Sequence, residues 1–73
     1  MTDLNEYIVL DKQIRFGKPT IKNTRITVAD VLSWLAEGLT TENIIENFPQ
    51  LSREQISACL RYAASKEIKL AVA

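Results

Sequence analysis

The apolar positions of this chain change their spacing at two places. Tyr7, Ile8, Val9 and Leu10 run contiguously, and Ile14 and Phe16 then alternate with polar neighbours beyond a turn-like Asp11-Lys12, which predicts a β-hairpin. From Val28 the spacing becomes helical, with Val28, Val31, Leu32, Leu35, Ala36 and Leu39 on one face. Thr27 before them and Asp30 within the first turn form a Thr-x-x-Asp variant of the capping box, and Gly38 supplies a stop, so a helix is predicted over about residues 28–37. Thr40 or Thr41 caps a second, short helix whose apolar face is Ile44, Ile45 and Phe48 and which Pro49 closes. Ser52 and Gln55 form a regular capping box for a third and longest helix, with Ile56, Cys59, Leu60 and Ala63 as its buried stripe. The last residues fit two patterns: Ile68, Leu70 and Val72 alternate as in a strand, whereas Leu60, Ala64, Ile68 and Val72 share helical spacing.

These elements predict a mainly α fold, a homeodomain-like trihelical helix-turn-helix bundle with an N-terminal β-hairpin. It occupies one domain: hairpin and elbow over 7–26, the three helices over 27–66, and a short tail over 67–73. The turn through Pro49, Gln50, Leu51 and Ser52 is longer than the tightest helix-turn-helix turns and lacks their glycine, and Ile45 stands where a small residue commonly allows close helix approach.

The segment joining hairpin to helix is the least generic part of the chain. In Gly17-Lys18-Pro19-Thr20-Ile21-Lys22-Asn23-Thr24-Arg25-Ile26, Pro19 presets one backbone angle and Gly17 and Asn23 tolerate left-handed conformations, so a rigid elbow is expected rather than a linker. Arg25, close to a helix N-terminus, needs an anionic partner: Asp30, Glu37 or an external phosphate or carboxylate. This run, continued by Thr27-Val28, by Leu35-Ala36-Glu37-Gly38-Leu39-Thr40 and by Phe48-Pro49-Gln50-Leu51-Ser52, closely resembles domain of unknown function family 433 over roughly residues 7–64. Asn23 replaces the Gly usual there and keeps its left-handed tolerance. The resemblance implies a prokaryotic, cytoplasmic, antitoxin-like helix-turn-helix protein that neutralises a PIN-like ribonuclease toxin and represses its own operon by binding operator DNA. It implies no catalytic residues.

Composition narrows the classes further. A chain of 73 residues builds one small core and leaves little room for an enzyme cleft. No apolar run approaches the roughly 20 residues of a membrane span, and the polar start, Met-Thr-Asp-Leu-Asn-Glu, is unlike a signal peptide. The single Cys59 and the lack of His leave no disulfide and almost no zinc ligands, and Glu42 and Glu46 at helical spacing read as a solvated face, so no metal, cofactor or catalytic residue is expected. Formal charge is zero, yet every charge from Lys12 to Arg25 is positive: Lys12, Arg15, Lys18, Lys22 and Arg25.

For nucleic acid, the candidates are therefore Arg53, Gln55, Ser57 and Arg61 on the outer face of the third helix, with Lys18, Lys22 and Arg25 contacting the backbone. Glu54 beside them opposes phosphate. For a protein partner or a second copy, the candidates are Tyr7, Val9, Trp34, Ile68, Leu70 and Val72. Trp34 falls on the flank of the first helix's apolar face, where the hairpin could cover it or leave it as an anchor. Surplus apolar surface on so small a core favours a homodimer. The alternative function is a protein-interaction or dimerisation module without DNA binding.

Overall fold

A computed structural model describes residues 6–72, with side chains described as far as Ser65. Its elements are β1 (Ile8–Val9), a 3-10 turn (Arg15–Gly17), β2 (Thr20–Ile21), α1 (Val28–Ala36), α2 (Thr41–Asn47) and α3 (Arg53–Val72). The fold is mainly helical, a trihelical bundle with an N-terminal two-stranded hairpin.

The three helix starts follow from reciprocal capping. The Asp30 N–H donates to Thr27 Oγ1 at 3.0 Å and the Thr27 N–H donates to Asp30 Oδ2 at 3.1 Å. Thr40 and Asn43 repeat the exchange at 3.1 Å in both directions, an Asn standing where Glu or Gln is usual. Ser52 and Gln55 complete it for α3, at 2.7 Å and 3.2 Å. Each box satisfies two otherwise orphaned donors, and losing the cap residue costs about 1 kcal/mol. Gly38, at φ +102°, turns the chain out of α1.

The hairpin differs from the predicted one. Its second strand is Thr20–Ile21, paired antiparallel with β1 in the register Ile8 to Ile21 and Val9 to Thr20, while the expected strand residues Ile14 and Phe16 lie in a turn region. Two local effects break that strand. The Gln13 N–H donates to the Asp11 carboxylate and the Ile14 N–H to the Asp11 carbonyl, both at 2.9 Å, folding the chain back early. Arg15 and Phe16 then take φ values of +50° and +60°, incompatible with an extended ladder.

β2 is bonded along both edges. Thr20 pairs with Val9 on one side and bridges to Thr27 on the other, where the Ile21 N–H also donates to the Ile26 carbonyl at 2.8 Å. The intervening turn depends on Asn23 at φ +66°, as its type predicts, and on the Thr24 hydroxyl, which donates to the Ile21 carbonyl at 2.8 Å and accepts from the Ile26 N–H at 3.0 Å. So tied, Thr20 and Ile21 are both buried; the Thr20 hydroxyl is satisfied by the Lys18 carbonyl at 2.6 Å.

The core lies where α1 and α2 pack on α3 beneath this hairpin, and comprises Ile8, Ile21, Val28, Val31, Ile44, Leu51, Ile56, Ala58 and Cys59. On α3 the buried stripe is Ile56, Ala58 and Cys59, with Ala63 half-buried; Leu60, predicted inside, is 46% exposed, because the small Ala58 faces the bundle instead. The tail is continuous with α3, whose helical backbone reaches Val72, so the strand alternative is not adopted.

Burial pushes the Cys59 thiol up from its ordinary 9.0 to about 11, because the apolar core disfavours thiolate. The native state thus keeps its proton where the unfolded chain loses it. The resulting stabilisation is complete below pH 9 and declines as pH rises towards about 11. Urea titrations of wild type and Cys59→Ala across that range are expected to show the wild type losing stability relative to the variant as pH rises; parallel curves would contradict this.

Candidate interaction site

The Arg15–Gly17 turn is the most unusual backbone in the molecule. Arg15, Phe16 and Gly17 have consecutive φ values of +50°, +60° and +81°. A left-handed conformation is free to Gly but costs a residue with a Cβ roughly 1–2 kcal/mol. Two such residues in succession require a restraint, and Arg15 provides it: its Nη1 donates to the Arg25 carbonyl at 2.9 Å and to Asp30 Oδ2 at 3.3 Å. The turn is thereby fastened to the start of α1.

Phe16, on this fastened turn, is 94% exposed, and Leu10 nearby in sequence is 63% exposed. Apolar side chains usually escape water by rotating inward, but the left-handed backbone holds Phe16 outward. Beside the turn is an open depression of about 530 Å³, lined by apolar Val9 and Ile14 and by polar Asp11, Lys22, Thr24 and Arg25. Lys12, Lys18, Lys22 and Arg25 are all exposed, and none forms an ion pair among the described residues.

Arg25 was expected to meet Asp30, Glu37 or an external phosphate or carboxylate, and no internal ion pair to it forms among the described residues. Arg15 occupies Asp30 instead, and Arg25 contributes its carbonyl to that clamp while its side chain stays in solvent at the depression. The elbow takes the left-handed angles expected at Gly17 and Asn23, and Arg15, outside the 17–26 segment, is hydrogen-bonded to it.

The α3 candidates are dispersed. Arg53 is exposed but bonded to Glu42 of α2 at 2.5 Å, and Glu54 beside it is exposed. Gln55 is half-buried and its Oε1 serves the cap; Ser57 is half-buried; Arg61 is exposed. Among the partner candidates, Tyr7 is half-buried against the core and Val9 lines the depression. Trp34 is also half-buried: it stacks on Phe48, ring centroids 4.7 Å apart at 13°, so the turn after α2, not the hairpin, covers one of its faces. The side chains of Ile68, Leu70 and Val72 lie outside the described residues. Among the described residues there is no metal-ligating cluster and no helix long and apolar enough to cross a membrane. The sequence marked Phe16 only as an alternating strand position and Leu10 only as the end of the Tyr7–Leu10 apolar run; the glycine after Phe16 marks a turn, but no signal in an Arg-Phe pair announces positive φ.

A trihelical bundle with three capped helices and a braced, basic hairpin defines a small, mainly helical domain. Residues 8–63 match the family described as Protein of unknown function (DUF433), and the chain belongs to that family. It is 30% identical over 64 residues to the uncharacterized protein y4eO of Sinorhizobium fredii (strain NBRC 101917 / NGR234), a match covering 88% of this chain and 29% of that protein. It also resembles the crystal structure, at 2.00 Å resolution, of a DUF433 member protein from Anabaena variabilis ATCC 29413, with a TM-score of 0.82 and 26% identity over 90% of this chain and 65% of that one. The chain thus spans less than a third of the curated relative and 65% of the solved one.

Because Phe16 makes almost no burial contribution, Phe16→Gly is expected to raise stability by up to about 1 kcal/mol, relief of left-handed strain outweighing the added chain entropy. Arg15→Ala is expected to lower it by about 1 kcal/mol through loss of the clamp. Chemical denaturation of the two variants measures both; destabilisation by Phe16→Gly would mean that the ring supports the fold.

Proposed function

We propose that this chain is an antitoxin-type regulator of a prokaryotic toxin–antitoxin pair, acting in the cytoplasm as a homodimer whose ligands are a PIN-like ribonuclease toxin and the operator DNA of its own gene. The observation that carries this is the set of four exposed cations, Lys12, Lys18, Lys22 and Arg25, without ion-pair partners among the described residues and displayed on a braced hairpin beside a helix-turn-helix. Unpaired cations on a rigid frame suit an anionic macromolecule, either a phosphate backbone or an acidic protein face. The resemblance of the Gly17–Ile26 segment and of the helices after it supplies the antitoxin context. No enzymatic activity is assigned.

The distribution of charge decides how DNA would be held. Glu42, Glu46 and Glu54 are exposed on α2 and at the start of α3, Arg53 is tied to Glu42, and Gln55 is engaged in its cap. Backbone contacts from Lys18, Lys22 and Arg25 therefore dominate, with Arg61 and Ser57 supplying what α3 offers to base edges. The same acidic surface favours a second reading, a protein-interaction module without DNA binding.

Titration of the DNA upstream of its gene at several salt concentrations separates the two. Three phosphate contacts per chain give a slope of log affinity against log salt of about −3, and Lys22→Ala should reduce its magnitude by about one while weakening all sequences alike. Absent or salt-insensitive binding, with the partner still captured, would establish the second reading.

A further inference from the structure

From the depression beside the braced turn we infer that this chain docks an acidic segment of a partner protein carrying aliphatic side chains, with Phe16 as its anchor. This deepens the partner-binding half of the function proposed above and rests on it. Three observations converge. The depression combines an aliphatic lining, Val9 and Ile14, with cationic Lys22 and Arg25 and one carboxylate, Asp11, which accepts from the Gln13 N–H, so its net positive lining favours an occupant offering both apolar groups and negative charge. Phe16, two positions beyond Ile14 and braced through Arg15 to the carbonyl of Arg25, is held in water by a strained backbone. Strain retained where relief would be simple is characteristic of binding positions, and a pre-positioned ring loses little freedom when it is buried in a complex.

The lining favours this occupant over two others. A second copy placed face to face would set Lys12, Lys18, Lys22 and Arg25 against the same four cations, so the homodimer must use another surface. A nucleic acid would meet the lysines and its bases can stack on the exposed Phe16 ring, but it offers no aliphatic groups to Val9 and Ile14, so it satisfies only part of the lining. An acidic segment with aliphatic residues satisfies both halves, its carboxylates against Lys22 and Arg25 and its apolar groups against Val9, Ile14 and the Phe16 ring.

Selection from a random peptide library displayed on phage tests this without needing the natural partner. Wild-type protein is expected to enrich peptides that combine Asp or Glu with Leu, Ile or Val. Their affinity should fall at least about tenfold for Phe16→Asn, which keeps left-handed tolerance, and for Lys22→Glu. Both positions are exposed, so circular dichroism should show both variants folded. Enrichment of neutral or basic peptides, no enrichment, or unchanged affinity in the folded variants would overturn the inference. So would Phe16-dependent binding of a single-stranded oligonucleotide in place of peptides, or a concentration-dependent dimer abolished by Phe16→Asn. Failure of toxin neutralisation with peptide selection intact would instead reject the antitoxin reading and leave this site standing.

Discussion

One oxygen atom, Asp30 Oδ2, connects the helical bundle to the hairpin. It accepts the Thr27 N–H that closes the capping box of α1 and, on another side, the guanidinium of Arg15. The same guanidinium nitrogen reaches the Arg25 carbonyl, so helix start, left-handed turn and the loop after β2 share a node. Neither Arg15 nor Phe16 adopts positive φ readily by itself, and this node acts together with the turn's own hydrogen bonds, from the Gly17 N–H to the Ile14 carbonyl at 3.1 Å and from the Lys18 N–H to the Arg15 carbonyl at 3.2 Å. Thr27, buried and bridged to Thr20, carries the constraint on into the edge of β2.

The second organising feature is segregation of charge in a chain whose formal total is zero. Lys12, Lys18, Lys22 and Arg25 outnumber the acids Glu6 and Asp11 in the hairpin region, whereas Glu37, Glu42, Glu46 and Glu54 are exposed on the helical side. An electrically neutral protein can still present two faces of opposite sign, each steering a different kind of partner. The acidic side includes the beginning of α3, where Glu54 stands beside an Arg53 tied to Glu42, whereas the hairpin region has four exposed cations without ion-pair partners among the described residues.

What could be read in the sequence was mostly what is decided locally. The capping residues Thr27, Thr40 and Ser52, the left-handed Asn23 and the stop at Gly38 each act within a few positions, and each is found in place. The second strand was misplaced because Thr20–Ile21 becomes a strand through partners on both sides, Val9 before it and Thr27 after it, while the alternation of Ile14 and Phe16 looked equally strand-like. The misassignment of Leu60 has a similar cause: helical spacing marks a face, but which flank of it is buried depends on packing, and here Ala58 is buried while Leu60 is 46% exposed. At the candidate site the cations were legible as residue types. Their arrangement was not, because the pairing of Asp30 with Arg15 in preference to Arg25 depends on the left-handed turn.

The central claim is that the Arg15 clamp holds Phe16 rigidly in solvent. Backbone ¹⁵N relaxation tests it directly, through the order parameters of the Arg15, Phe16 and Gly17 amides in wild type and in Arg15→Ala. The expected result is values near those of rigid backbone in the wild type, about 0.85, falling below about 0.6 in the variant while α1 to α3 stay unchanged. Low values already in the wild type, or equally high values in both proteins, would contradict it.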